Sequence, residues 1–258
     1  MKRAYFILRC GILWAISSLH FFLGTLLLLF LALFLDPRKN DRPQRIFARN
    51  ILRLAGAKFR VHCAPGFDPK RTSIFVCNHV NIFDPFVVYS AIPQFVRGWE
   101  LESHFQVPIY GWMMKRFGNV PVADNKTPGS LRKLYRLTQE ALANGTSLAV
   151  FAEGSRTLDG RVQPFRQGIF RMVRDLGYPI VPMSIAGSFA FHRKGSRMLH
   201  PSTITVHIHD TIETKTLSPQ ELEQLQDRVY RIVSAPVHQA LGLSSPTQAA
   251  EAPGKPAD

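Results

Sequence analysis

The chain has 258 residues, and its 32 lysines and arginines against 18 aspartates and glutamates give a formal net charge of +14. Hydrophobic residues make up 46% and charged residues 19%, so the chain can bury a core and wholesale disorder is excluded. Three widely spaced cysteines do not make a disulfide framework and suit a reducing, cytosol-facing location. The positive charge favours an anionic partner: nucleic acid, a membrane surface or a phosphate-bearing substrate.

An apolar stretch without formal charge, residues 13–35, dominates the N-terminal region. As a helix rising about 1.5 Å per residue, it can cross a hydrocarbon core roughly 30 Å thick. Asp36 and Pro37 follow it instead of a small-residue cleavage site, which disfavours a signal peptide. More arginines follow the stretch than precede it, which predicts a membrane protein whose body is cytoplasmic, on the inner membrane in a bacterium. Basic residues on both sides also allow a re-entrant or monotopic insertion, and a buried core helix is a further alternative.

A basic amphipathic helix is predicted directly afterwards, from Pro43 to Gly56. Its apolar residues are predicted to face lipid: Ile46, Phe47, Ile51, Leu52 and Leu54. We therefore expect residues 1–56 to form a membrane-inserted helical segment that precedes the rest of the chain.

The following residues are predicted to form an α/β domain, 57–242, with a mixed sheet flanked by helices. Short apolar runs between turn signals predict strands at Phe59–Cys63, Ser73–Cys77, Val120–Val122, Ser147–Phe151, Ile180–Ile185 and Ile204–His209. Helical spacing predicts helices at Ser130–Asn144 and Ile169–Leu176, and a third that begins at a Ser218–Glu221 capping box and ends before Pro236. Residues 243–258 lack apolar content and are predicted to be a disordered tail.

His79 and Asp84 follow directly after the predicted strand that ends at Cys77. The carboxyl end of a strand is a common position for a functional site in α/β folds. Histidine is the usual general base near neutral pH, and a nearby carboxylate can fix its tautomer and stabilise the imidazolium. Since no serine or cysteine stands beside this pair as a nucleophile, we expect His79 to activate a substrate hydroxyl directly. The structural alternative is that Asp84 only caps the next helix.

Two further segments also lie at or within predicted strands. In Glu153-Gly154-Ser155-Arg156, the glycine allows a tight turn, and the hydroxyl and guanidinium groups can donate hydrogen bonds to a phosphate. A plain glycine turn with a solvated arginine is the alternative. Pro182, inside an apolar run, predicts an edge strand or a bulge.

Taken together and in this order, the segments NHVNIFD, FAEGSRT and VPMS behind an apolar N-terminus resemble the glycerolipid acyltransferase family, over roughly Ser73 to Gly187. The resemblance implies an O-acyltransferase that moves a fatty acyl group from acyl-CoA or acyl-ACP to a lysoglycerolipid hydroxyl, in phospholipid biosynthesis. The expected acceptor is 1-acyl-sn-glycerol-3-phosphate and the expected product phosphatidic acid. Acyl-CoA or acyl carrier protein and membrane lipids are thus the expected partners, with no further cofactor, no metal and no nucleic acid.

The resemblance also assigns roles to residues. His79 would be the general base and Asp84 its orienting partner. The substrate-binding residues would be Asn78, Glu153, Gly154, Ser155, Arg156, Arg166 and Pro182, with Arg156 on the acceptor phosphate, Arg166 where the family usually has lysine, and Pro182 near the acyl donor.

One segment departs from the family pattern. Asp124 stands where the second motif usually has an arginine, and an aspartate opposite a phosphate would repel it. Lys126 or Arg132 could compensate, or the acceptor could be a lysolipid with another head group.

Two other classes of function are alternatives, a hydrolase and a lipid-binding protein. The same His–Asp pair could activate water in a lysophospholipase or thioesterase, and the chain could be a lipid-binding membrane protein without catalysis.

His207 and His209 share one face of a strand, as a metal pair would, but no acidic or cysteine partner is evident. The basic run around Arg132 and Arg136 alternates with core positions of a helix, which predicts a solvated or membrane-facing surface instead of a nucleic-acid site.

Overall fold

A computed structural model describes residues 2–38, 41–125 and 127–243. It contains one seven-stranded sheet and helices on both of its faces. The strands are β1 (Ala57–Cys63), β2 (Ile74–Cys77), β3 (Val96–Leu101), β4 (Val120–Val122), β5 (Ser147–Phe151), β6 (Ile180–Ala186) and β7 (Ser202–Ile208). The helices are α1 (Lys2–Phe34), α2 (Arg42–Leu54), α3 (Asp84–Ala91), α4 (Tyr110–Arg116), α5 (Pro128–Ala143), α6 (Gln167–Leu176), α7 (Ser188–Phe191) and α8 (Pro219–Ala240), with a 3₁₀ turn at Glu102–Gln106.

The sheet has the order β1-β7-β6-β2-β5-β3-β4. Its pairs are parallel except that of β6 with β7, so the predicted mixed sheet is confirmed. Alternate residues of β2 enter two different hydrophobic cores: Phe75 and Cys77 face the side of α1 to α4, and Ile74 and Val76 face α5, α6 and α8. The carboxyl ends of the three neighbouring strands β6, β2 and β5 meet at one edge.

Two features of the predicted sheet are corrected. The strand β3 was not predicted, because Arg97 and Glu100 interrupt its apolar pattern. Pro182 does not mark an edge, since β6 lies between β7 and β2. Its carbonyl accepts a hydrogen bond from the His209 N–H at 3.0 Å, on the β7 side, where regular pairing begins only at the next residue, Met183. The missing proline N–H therefore falls just outside the paired ladder.

The last helix does not end before Pro236 but continues to Ala240. The Ser218–Glu221 capping box is present as predicted. A proline inside a helix removes one backbone hydrogen bond. Here Val233 and Val237, on either side of Pro236, are buried against the sheet, and this burial outweighs the lost bond.

The N-terminal helix α1 is long and apolar enough to cross a membrane by length and composition. However, it also lies along the α/β domain from one end to the other. One stripe of the helix is buried: Cys10, Ser17, Thr25, Leu28 and Ala32. Hydrogen bonds attach both halves of the helix to the domain, from Trp14 Nε1 to the Arg197 carbonyl at 2.8 Å and from Arg116 to the Ala32 carbonyl. The opposite side exposes large apolar side chains along its length.

The second helix, α2, does not present its apolar face to lipid as predicted. Phe47, Ile51 and Leu52 are buried in the core formed with α1 and α3, and Ile46 is the exposed apolar residue. The reason is that α1 and α3 pack against the apolar stripe of α2 and leave no room for lipid. Apart from Leu243, the predicted tail lies outside the described residues, as does Lys126.

Candidate active site

His79 and Asp84 lie together at the carboxyl edge of the sheet. The His79 Nδ1 is 2.8 Å from the Asp84 Oδ2. Since a carboxylate can only accept, Nδ1 carries the proton, and Nε2 is left as the nitrogen that can take another. The imidazole lies flat on the Phe151 ring at 4.0 Å between centroids, and its side chain is 19% exposed. The ring is therefore held in one orientation while it keeps access to solvent.

Asp84 is buried completely and accepts four hydrogen bonds. Its Oδ2 receives the backbone N–H groups of Val80 at 2.5 Å and Asn81 at 2.8 Å in addition to His79. Its Oδ1 receives the hydroxyl of Ser188 at 2.9 Å. A buried carboxylate with this many donors is stabilised as the anion. Asp84 is also the first residue of α3, but its side chain makes no capping hydrogen bond to that helix, so the alternative that it only caps the helix is wrong.

Asn81 fixes the loop between His79 and Asp84, a role that was not predicted from the sequence. Its Nδ2 donates to the carbonyls of Ser188 and His192, each at 2.9 Å, and its Oδ1 accepts the Phe83 N–H. The loop after β2 is thus joined to the loop after β6, about 110 residues later in sequence. Only the presence of an asparagine between the histidine and the aspartate could have hinted at this.

The Glu153 side chain holds the backbone at His79 in place by hydrogen bonds. Its Oε1 accepts the His79 backbone N–H at 2.6 Å and its Oε2 accepts the Gln163 N–H at 2.9 Å, while the Thr157 N–H donates to the His79 carbonyl at 2.9 Å. Burial raises the pKa of the Glu153 carboxyl to about 7, against the opposing effect of the two N–H donors. Both oxygens therefore accept hydrogen bonds from backbone N–H groups, and Glu153 positions the loop that carries His79.

Gly154 occupies a position that requires glycine. Its φ is +70°, and a Cβ there would lie 1.9 Å from Arg166 Nε. That nitrogen donates to the Glu153 carbonyl at 3.2 Å. Arg166 therefore closes over the turn after β5, with Arg156 half-buried and Ser155 exposed nearby in the chain.

Two of the predicted binding residues lie inside the fold. Asn78 is buried and exchanges two hydrogen bonds with the backbone of Ile185, at 2.7 and 3.1 Å, so that it extends the pairing of β2 with β6. Pro182 is buried within β6. The structure brings His79, Asp84, Glu153, Gly154 and Arg166 together and keeps Asn78 and Pro182 beneath the surface.

Asp124 does not point into this site. Its two oxygens accept the N–H and the hydroxyl of Ser103, at 3.0 and 2.8 Å. These bonds lower the pKa of the carboxyl. Asp124 therefore stabilises the 3₁₀ turn that begins at Glu102, by hydrogen bonds to Ser103.

A cavity of about 380 Å³ lies beside His79, between the sheet and helices α1 to α4. Phe151, which carries the His79 ring, forms part of its wall. The other lining residues are mainly apolar and include Trp14 of α1, Phe47 of α2 and Met113 of α4, together with the small residues Gly98 and Ala149 of the sheet. A cavity of this size and lining suits an extended apolar ligand.

Metal-binding geometry is absent from the part of the chain that the structure describes, where no three His, Cys, Asp or Glu side chains could share an ion. His207 stacks on His62 of the neighbouring strand, and the His209 Nε2 lies 2.8 Å from the Ser184 hydroxyl.

Comparison with known proteins gives consistent results. A family model described as Acyltransferase matches residues 58–186, half of the chain. A chloroplastic 1-acyl-sn-glycerol-3-phosphate acyltransferase of Brassica napus is 30% identical over 54% of this chain and 40% of its own, and the alpha enzyme of that name from Ovis aries is 24% identical over 74% and 67%. One from Cocos nucifera is 22% identical over 62% and 52%. The chain thus spans about half the length of the first two plant relatives.

Among solved structures, the 1-acyl-sn-glycerophosphate acyltransferase PlsC of Thermotoga maritima superposes with a TM-score of 0.75. The match covers 95% of this chain and all of that one, at 21% identity, and shows that the two share a fold. With the family model, the motifs and the fold in agreement, the chain belongs to the acyltransferase family.

Proposed function

We propose that this protein transfers a fatty acyl group from acyl-CoA or acyl-ACP to the free hydroxyl of 1-acyl-sn-glycerol-3-phosphate and so forms phosphatidic acid. The observation that carries the proposal is the His79–Asp84 pair at 2.8 Å, beside an apolar cavity of about 380 Å³. The names of the relatives support the choice of acceptor.

In the proposed reaction, His79 Nε2 removes the proton of the acceptor hydroxyl as its oxygen attacks the thioester carbonyl. Such a base is commonly worth 10²–10⁴-fold in rate. The imidazolium is stabilised by the Asp84 carboxylate, whose position is fixed by four donors. When the tetrahedral intermediate collapses, the C–S bond breaks, and the thiolate takes the proton from the imidazolium. The ester forms, the thiol leaves, and His79 returns to its starting state.

The cavity is the proposed site of the donor's acyl chain. Its wall at Phe151 lies against the His79 ring, which would place the thioester carbonyl beside Nε2. Burial of each methylene removes apolar surface from water and contributes about 0.8 kcal/mol.

Arg156 is the proposed ligand of the acceptor phosphate. It follows the Gly154 turn, and its charge is close enough to His192 to contribute to the lowering of that residue's pKa, which burial mainly causes. The Asp124 carboxylate keeps its negative charge, but Ser103 holds both of its oxygens at the 3₁₀ turn. The departure from the family pattern at this position is therefore compatible with a phosphate-bearing acceptor.

The apolar helix α1 indicates membrane association, and its packing against the domain indicates how the helix lies relative to the bilayer. A helix that is hydrogen-bonded to the α/β domain in both of its halves cannot stand upright in a bilayer while that domain stays in water. We therefore propose that α1 lies within one leaflet, on the cytoplasmic side. Its lipid-facing residues would be Tyr5, Leu8, Ile12, Ile16, Leu19, Phe22, Leu23, Leu26, Leu27, Phe30, Leu33 and Phe34.

The test uses purified protein in neutral detergent micelles, with acyl-CoA and acyl-ACP as donors and a panel of lysolipids, read by mass spectrometry. We expect a diacyl product with lysophosphatidate that disappears in His79→Ala and persists in His62→Ala, a variant of an exposed histidine on β1. Free fatty acid without acceptor would indicate a hydrolase. Lysolipid binding without any His79-dependent product would indicate a binding protein.

A further inference from the structure

The loop between α7 and β7 contains a basic turn, Arg193 to Arg197, that the proposed chemistry does not use. The turn closes with a hydrogen bond from the Ser196 N–H to the Arg193 carbonyl at 3.0 Å, and Gly195 has a φ of +80°. The side chains of Arg193, Lys194 and Arg197 are all exposed. Residues 176–209 contain no aspartate or glutamate, and within the described ranges no carboxylate lies within 4 Å of these three cations.

The segment that includes the basic turn is fastened to α1. The Trp14 indole N–H donates to the Arg197 carbonyl at 2.8 Å, and the Arg9 guanidinium donates to the Leu199 carbonyl at 3.1 Å. The Phe6 ring packs on His200, with 5.1 Å between centroids. The turn is therefore attached to the N-terminal half of the helix whose other side exposes apolar residues.

The same segment is also fastened to the active site. Asn81 Nδ2 donates to the His192 carbonyl at 2.9 Å, and Lys194 Nζ lies 3.5 Å from the Arg156 carbonyl. The basic turn thus stands between the apolar helix and the loop that carries His79. Where an apolar surface meets unpaired cations, the matching partner is a lipid layer with negative head groups.

We infer that the basic turn binds anionic lipid head groups and holds the active site at the surface of a negatively charged membrane. This inference rests on the membrane placement proposed for α1, but not on the identity of the reaction. Three cations around one turn exceed what a single acceptor phosphate needs, and Arg156 is already proposed for that phosphate. Anionic membranes attract such cations at the level of the head groups.

The experiment measures binding of the full chain to two kinds of vesicle, phosphatidylcholine alone and phosphatidylcholine with phosphatidylglycerol. The variant replaces all three cations, Arg193→Gln, Lys194→Gln and Arg197→Gln. The matched control removes three exposed arginines on the opposite face of the sheet: Arg171→Gln, Arg228→Gln and Arg231→Gln. At physiological salt, interactions between charges are largely screened beyond about 8–10 Å, so cations far from the membrane surface should contribute little to binding.

We expect the first variant to bind the anionic vesicles on the order of 100-fold more weakly, since each cation near the surface contributes roughly a factor of 5. Its binding to neutral vesicles should not change, and the control should bind both as the unaltered protein does. An equal loss in the control would mean that net charge alone is responsible and would overturn the inference.

A second measurement separates head-group binding from substrate binding. In neutral detergent micelles, the variant of the basic turn should keep the kcat and KM of the unaltered protein. A raised KM for the lysolipid there would mean that the turn holds the acceptor's own phosphate, and a raised KM for the donor would assign it to the donor; either result contradicts the inference. A protein that binds vesicles through the turn but transfers no acyl group would refute the proposed function alone.

Discussion

The loop after β2 and the loop after β4 both follow parallel strands, yet they are built very differently. In the first, Asp84 is fully buried and accepts four hydrogen bonds, three of them on Oδ2, where His79 is one of the three donors. In the second, Asp124 is exposed, and within the described part of the chain its side chain accepts hydrogen bonds from Ser103 alone. Buried donors fix one carboxylate beside a base, while the other caps a surface turn. A carboxylate's role thus follows from its donors and its burial more than from its place in a motif.

The largest expected effect is on the first loop. His79→Ala should lower kcat for acyl transfer by at least about 10³-fold, because it removes the proposed base while the other three donors to Asp84 remain. The rate is measured with lysophosphatidate and acyl-CoA in neutral detergent. His62→Ala should remain near the rate of the unaltered protein, and equal rates in both variants would refute the role of His79.

Asp84→Asn comes next. The amide keeps the shape and can accept most of the same hydrogen bonds, but it loses the charge that stabilises the imidazolium. We expect kcat to fall about 10²-fold with little change in Tm. Asp68→Asn, at an exposed position, is the control. A large fall in Tm with unchanged activity per folded molecule would show that Asp84 is structural only.

Glu153 makes stability depend on pH. Its pKa is about 7 in the fold against an ordinary value of 4.5, so between these values the folded chain holds a proton that the unfolded chain has released. Stability should therefore fall as pH rises from 4.5 to 7, by about 3 kcal/mol in total. Thermal unfolding at several pH values should show this slope in the unaltered protein and lose it in Glu153→Gln. An equal slope in both proteins would place the responsible group elsewhere.

The smallest effect is expected in the second loop. Asp124→Ala removes the bonds to Ser103 at the surface, so Tm should fall only slightly, and the KM for lysophosphatidate should stay the same. A markedly lower KM would show that Asp124 repels the acceptor phosphate, and the comparison between the two loops would then fail.

Much of the fold follows from local patterns in the sequence. Six of the seven strands lie where apolar runs between turn signals predict them. The strand β3 is hidden because Arg97 interrupts it, yet that side chain is buried, with its guanidinium 3.9 Å from the Phe95 ring and donating to the Phe117 carbonyl. Phe117 lies 20 residues from Arg97 in sequence, so no local pattern reports this hydrogen bond.

The candidate site was likewise predicted in part from local sequence, and the remainder depends on contacts between distant segments. The five-residue interval between His79 and Asp84 predicts their proximity, because both belong to one turn at a strand end. Glu153 was predicted to contact substrate, but its partners, the N–H groups of His79 and Gln163, depend on the pairing of β2 with β5. The apolar face of α2 was predicted to face lipid, because the sequence alone cannot show that α1 and α3 cover it.

The central claim is that His79 activates the acceptor hydroxyl directly, without an acyl-enzyme. Intact-protein mass spectrometry after mixing the protein with acyl donor alone tests it. We predict an unmodified mass and no consumption of donor, followed by release of diacyl product once lysophosphatidate is added. An acyl adduct on the protein that forms without acceptor and disappears on its addition would contradict the account.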